Sequence, residues 1–95
     1  MIRLGDSIEL EGFEDIDKKN MVVLKKILGN HVKNLQENPN FRKIKLNLNS
    51  KGDSFEITAD LELEGKNLSS QSNEKNIFFS LNDVFGSLSR QVQEK

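Results

Sequence analysis

Residues 41–64 read FRKIKLNLNSKGDSFEITADLELE, two alternating runs joined by one turn. In the first run Ile44, Leu46 and Leu48 fall on one face, and Lys43, Lys45 and Asn47 on the other. In the second, Phe55, Ile57, Ala59, Leu61 and Leu63 point inward while Glu56, Thr58, Asp60, Glu62 and Glu64 point outward. A period of two over such lengths marks half-buried strands, and Ser50-Lys51-Gly52-Asp53 between them has the chemistry of a hairpin turn. Even-numbered inward residues meet odd-numbered ones across this pair, which requires an even loop. Lys51-Gly52 satisfies that and sets Lys45 opposite Thr58 and Lys43 opposite Asp60, with Glu56 and Glu62 diagonal.

A hairpin with one apolar face needs a covering layer, and the flanking sequence supplies it. Upstream, Ser7–Phe13 alternates again, with Ile8 and Leu10 on one side and Glu9 and Glu11 on the other. Asp15 or Asp17 then offers a helix N-cap. Met21, Leu24, Leu28, Val32 and Leu35 share one stripe of a helix running to about Glu37, which Asn38-Pro39-Asn40 ends. Downstream, Gly65-Lys66-Asn67 turns the chain into a short polar strand around Leu68–Ser72. Ser72 or Asn73 is positioned to cap a last helix whose stripe is Ile77, Leu81, Val84, Phe85, Leu88 and Val92. The predicted order is β-α-β-β-β-α. Both helices should pack on one face of a four-stranded sheet and leave the other face wet, an α+β domain.

Composition limits what such a domain does. Ninety-five residues suit one domain, expected to span residues 1–95. The absence of cysteine excludes disulfides and thiol chemistry, and a single histidine leaves no His-rich metal cluster. No apolar run approaches the ~20 residues of a membrane span, and MIRLGDSIELEG lacks the apolar stretch of a signal peptide. A cytoplasmic protein with no membrane partner is the expectation. The net charge of −1 hides a segregation. Residues 18–52 carry nine basic side chains against Glu37 alone, a net of +8, whereas residues 1–14 net −3 and residues 53–66 net −4. Local charge sets the field that a polyanion meets at close range.

The last helix carries a resemblance. Asn76-Ile77-Phe78-Phe79-Ser80-Leu81, followed by Leu88-Ser89-Arg90-Gln91-Val92, resembles the closing helix of the ribosome hibernation promoting factor and ribosome-associated inhibitor family. That helix opens with an acidic or amide residue, an apolar residue and an aromatic, and later carries a Leu-x-Arg-Gln-apolar run. The resemblance implies a double-stranded-RNA-binding-domain-like fold, no catalysis, no cofactor, and binding to the small ribosomal subunit through ribosomal RNA. It implies the short form, without a C-terminal dimerisation domain after Lys95. From the motif, Arg90 carries over as an RNA contact, whereas Ser87, Gln93 and Glu94 stand where the family usually has Lys or Arg.

The first helix holds the other candidates. With Met21 as zero on a helical wheel, Lys25, Lys18, Lys33, Lys26 and Lys19 lie between about 40° and 160°, and Gly29 near 80° lies inside that arc. Lys19, Lys26 and Lys33 repeat every roughly 10.5 Å along the axis. Point charges beside a bare backbone patch suit close approach to phosphates. Together with Arg90 these five lysines are the expected RNA-binding residues; a solvated lysine face is the plainer alternative. Lys43 and Lys45 are expected to be neutralised by cross-strand carboxylates instead. His31 flanks the first helix with nothing at helical spacing to complete a metal site. No catalytic constellation or glycine-rich phosphate loop is visible. The rival to ribosome binding is a non-catalytic protein-interaction module that uses either the exposed sheet or the Phe79 and Gly86 surface of the last helix, a homodimer being one form it could take.

Overall fold

The computed structural model describes residues 2–93, so the expected domain limits at Met1 and Lys95, and Glu94 beside it, lie outside the described residues. The chain runs β1 (Ile2–Arg3), β2 (Ile8–Glu11), α1 (Lys18–Gln36), β3 (Phe41–Lys51), β4 (Ser54–Leu63), β5 (Lys66–Glu74) and α2 (Ile77–Gln93). The sheet has five strands in the order β1-β2-β3-β4-β5, not the four expected. The additional strand pairs antiparallel with β2, Ile2 opposite Leu10 and Arg3 opposite Glu9. Two residues have no period, so the sequence pattern carries no trace of it. Strands β2 and β3 are parallel, joined by the α1 crossover, and all other neighbours are antiparallel.

Alternation places the inward residues as expected. Leu24 and Leu28 of α1, Leu46 and Ile57 of the sheet, and Leu81 and Leu88 of α2 are all fully buried in one core. Helix α2 lies over β5 and β4, and α1 over β3 and beside α2. The two helices are fastened where His31 stacks on Phe85, with ring centroids 4.7 Å apart and planes 4° from parallel. The His31 Nε2–H donates to Asn82 Oδ1 at 2.9 Å. His31 is thus a helix-joining residue.

The β3–β4 register differs from the expected one by two residues. Lys51 pairs with Ser54 around the loop Gly52-Asp53, which sets Lys45 opposite Asp60 and Lys43 opposite Glu62. Any shift by two keeps every apolar residue inward, so the pattern cannot choose between the two registers. The turn chooses. Gly52 adopts a positive φ of 61°, as a two-residue loop with glycine at its first position requires, and among the described residues no non-glycine has a positive φ.

The caps also differ. Ser72 and Asn73 belong to β5, and the N-terminus of α2 is capped by Asn76, whose Oδ1 accepts from the N–H of Phe78 (2.8 Å) and Phe79 (3.3 Å). Asp17 precedes α1 without a side-chain capping bond. At the end of β2, Gly12 crosses over β3 with φ 84°, where a Cβ would run into the Leu48 carbonyl oxygen. Only glycine meets both the backbone angle and the close approach.

Candidate nucleic-acid interface

Helix α1 presents its lysines as its periodicity dictates. Leu24, Leu28, Val32 and Leu35 are buried against the sheet, and His31 marks the flank turned toward α2. Lys18, Lys19, Lys25, Lys26 and Lys33 occupy the outer face and the opposite flank, and all five are exposed. Among the described residues none of them forms an ion pair. Gly29 lies in their midst with ordinary helical geometry, and a Cβ added there would meet nothing within 4 Å. The fold therefore has no steric need for glycine at this position, although it weakens the helix by roughly 1 kcal/mol relative to alanine.

Val22 was not among the expected site residues. It is 58% exposed and falls near 100° on the same wheel, at the centre of the lysine arc. Its helical phase was the available signal; an apolar residue at a charged position reads as core until the stripe is drawn. Lysine stems, Val22 and the bare Gly29 backbone make one strip of mixed apolar and cationic character.

Arg90 stands apart. It is exposed on α2, and its Nη1 lies 3.9 Å from the position a Cβ would take on Gly86. The guanidinium thus covers the glycine beside Phe79, which is itself 63% exposed. The structure brings the five α1 lysines together but does not join Arg90 to them.

Lys43 and Lys45 are locally paired, yet with β2 rather than β4. Lys43 Nζ lies 2.6 Å from Glu9 Oε2, and Lys45 Nζ 3.6 Å from Glu11 Oε2. Each lysine reaches the carboxylate two residues along the parallel register, in which Glu9 faces Lys45. Arg3 adds a second cation to Glu9 at 3.6 Å. Hydrogen bonding from Lys43 holds the Glu9 carboxyl below the ordinary carboxylate range, helped by the nearby charges of Lys43, Arg3 and Lys45 and opposed by burial. The wet sheet face therefore carries Glu9, Glu11, Glu56, Asp60 and Glu62 against Arg3, Lys43 and Lys45. The molecule is polarised: cationic on α1, acidic across the sheet. Among the described residues no group of three or more acidic or histidine side chains is arranged to hold a metal ion. No described helix is long and apolar enough to cross a membrane.

No protein-family model and no curated protein matches the sequence. Solved structures do match the fold. A ribosomal subunit interface protein from Coxiella burnetii superposes with a TM-score of 0.74 at 14% identity, covering 90% of this chain and 92% of that one. The Protein Y N-terminal domain from Thermus thermophilus superposes with a TM-score of 0.72 at 11% identity, covering 90% and 92% respectively. The chain thus shares the fold of this ribosomal subunit interface protein and of the Protein Y N-terminal domain.

Proposed function

We propose that this protein is a non-catalytic, ribosome-associated factor of the hibernation type, and that α1 contacts ribosomal RNA of the small subunit. The observation that carries this reading is the arc of five exposed lysines without ion-pair partners among the described residues, set around a glycine that the fold does not require. Unpaired surface lysines release counterions when they meet phosphates, which is the main source of affinity for a polyanion. The acidic sheet face repels the same polyanion and orients the approach, so a net charge of −1 does not oppose binding. Superposition on a ribosomal subunit interface protein supports the same assignment. Arg90, on a separate surface, would act as an isolated contact.

Co-sedimentation of the purified protein with small ribosomal subunits tests this. Wild type should pellet with the subunits at low salt and be released as salt rises. A protein that stays in the supernatant at every salt concentration contradicts the proposal.

A further inference from the structure

Strand β5 ends the sheet, and no strand among the described residues pairs with its outer side, which only the Gln91 side chain reaches, at Ser69. The loop Glu64-Gly65 is closed by Leu63 and Lys66, which makes these the first hydrogen-bonded pair of the β4–β5 ladder. Alternation from there turns the backbone N–H and C=O of Asn67, Ser69, Gln71 and Asn73 outward. The Ser69 carbonyl confirms the direction, since it accepts from Gln91 Nε2 at 2.9 Å on the edge. The opposite sheet edge is only the two-residue β1. Strand β5 is nine residues long, is unbroken in its pairing with β4, and carries no charge between Lys66 and Glu74. Natural proteins normally blunt an edge like this with internal charge, proline or a bulge.

Its charges sit at its two ends. Among the described residues neither Lys66 nor Glu74 is in an ion pair. Glu74 lies instead beside Asp83 of α2, which accepts from the Ser72 hydroxyl at 3.4 Å and is also within hydrogen-bonding reach of Glu74. A hydrogen bond with Asp83, and then the repulsion of its like charge, raise the Glu74 pKa above the ordinary carboxylate range.

We propose that β5 is a self-association edge, which pairs antiparallel with β5 of a second copy about a two-fold axis at Ser70. Outward-turned residues must pair with each other, which gives Asn67 opposite Asn73 and Ser69 opposite Gln71 of the other copy. In that register, and in no other of the same parity, each Lys66 stands opposite the other copy's Glu74, on the helix side of the sheet and next to Asp83. Each unpaired lysine therefore meets the other copy's unneutralised carboxylate pair. The helix layer also fits. Helix α2 lies over β5 and β4, so strand spacing of about 4.8 Å sets the two α2 axes roughly 8–10 Å apart, an ordinary helix-packing distance. The flank of α2 leaning over β5 carries Ser80, Asp83, Ser87 and Gln91; the first three are small enough for that approach, and Gln91 swings off the Ser69 carbonyl to admit the N–H of the other copy's Gln71. Helix α1 lies over β3, away from this edge, and its lysines stay free in the dimer.

Sedimentation velocity over a concentration series tests the proposal, with circular dichroism to verify folding. Wild type should show a monomer–dimer equilibrium. Lys66→Glu should raise the dimer dissociation constant about tenfold or more, because it places like charges at both symmetric sites. Lys66→Glu combined with Glu74→Lys should restore dimerisation. Gln71→Pro, which deletes an outward N–H but no bond to β4, should weaken it independently. A monomer at every soluble concentration, a dimer indifferent to Lys66→Glu, or a loss that the charge swap does not repair overturns the proposal.

Discussion

Replacing Gly29 with alanine should move stability and binding in opposite directions. The residue lies inside α1, is exposed, and has open space where a Cβ would go, so no steric penalty offsets the gain in helix propensity. Alanine should stabilise the fold by roughly 0.8–1 kcal/mol, partly by narrowing the unfolded ensemble. For a domain of this size that raises the melting midpoint by about 4–8 °C per kcal/mol. Urea unfolding followed by circular dichroism would read it as a higher midpoint with an unchanged slope. The added methyl also projects from the centre of the lysine arc, where phosphates would approach the backbone. Subunit binding should therefore weaken while the protein becomes more stable. Destabilisation would mean that Gly29 serves the fold after all. A more stable variant with unaltered binding would remove the bare backbone patch from the interface.

Two further substitutions probe the frame that presents the site. Gly12→Ala combines a left-handed backbone with a collision against a β3 carbonyl and should destabilise by roughly 2–5 kcal/mol; a loss under 1 kcal/mol in urea melts would refute the close crossing. Glu9 has a folded pKa below its unfolded value, so its contribution to stability is present above the unfolded pKa and is lost as pH falls through the folded one. Glu9→Gln should lower stability at neutral pH and flatten the acid limb, the two curves converging at low pH, whereas parallel curves would show no linkage through Glu9.

The sheet and both helices were legible because burial on one face imposes periods of two and 3.6 on the chain. What was hidden had no period to betray it. Strand β1 is two residues long, and the β3–β4 register depends on which dipeptide of Lys51-Gly52-Asp53 makes the turn. The capping role of Asn76 was masked by Ser72 and Asn73, polar residues that look equally suited to a cap until β5 is seen to run to Glu74. At the candidate site, the lysine arc follows from helical phase, and the structure adds the exposure of Val22 and the open space at Gly29. The pairing of Lys43 and Lys45 was readable in kind but not in partner. Glu9 and Glu11 become their neighbours only through the parallel β2–β3 crossover, which no local pattern records.

The salt dependence of binding to small ribosomal subunits tests the ribosomal role most directly, compared among wild type, Lys19→Gln/Lys26→Gln/Lys33→Gln and Lys43→Gln/Lys45→Gln. Three lost phosphate contacts should lower the slope of log affinity against log salt by about 2–3 units in the first variant. The second should change it less, because its lysines are already held by Glu9 and Glu11. Equal slopes in all three folded proteins, or no salt-dependent binding by wild type, would contradict an RNA-binding face on α1.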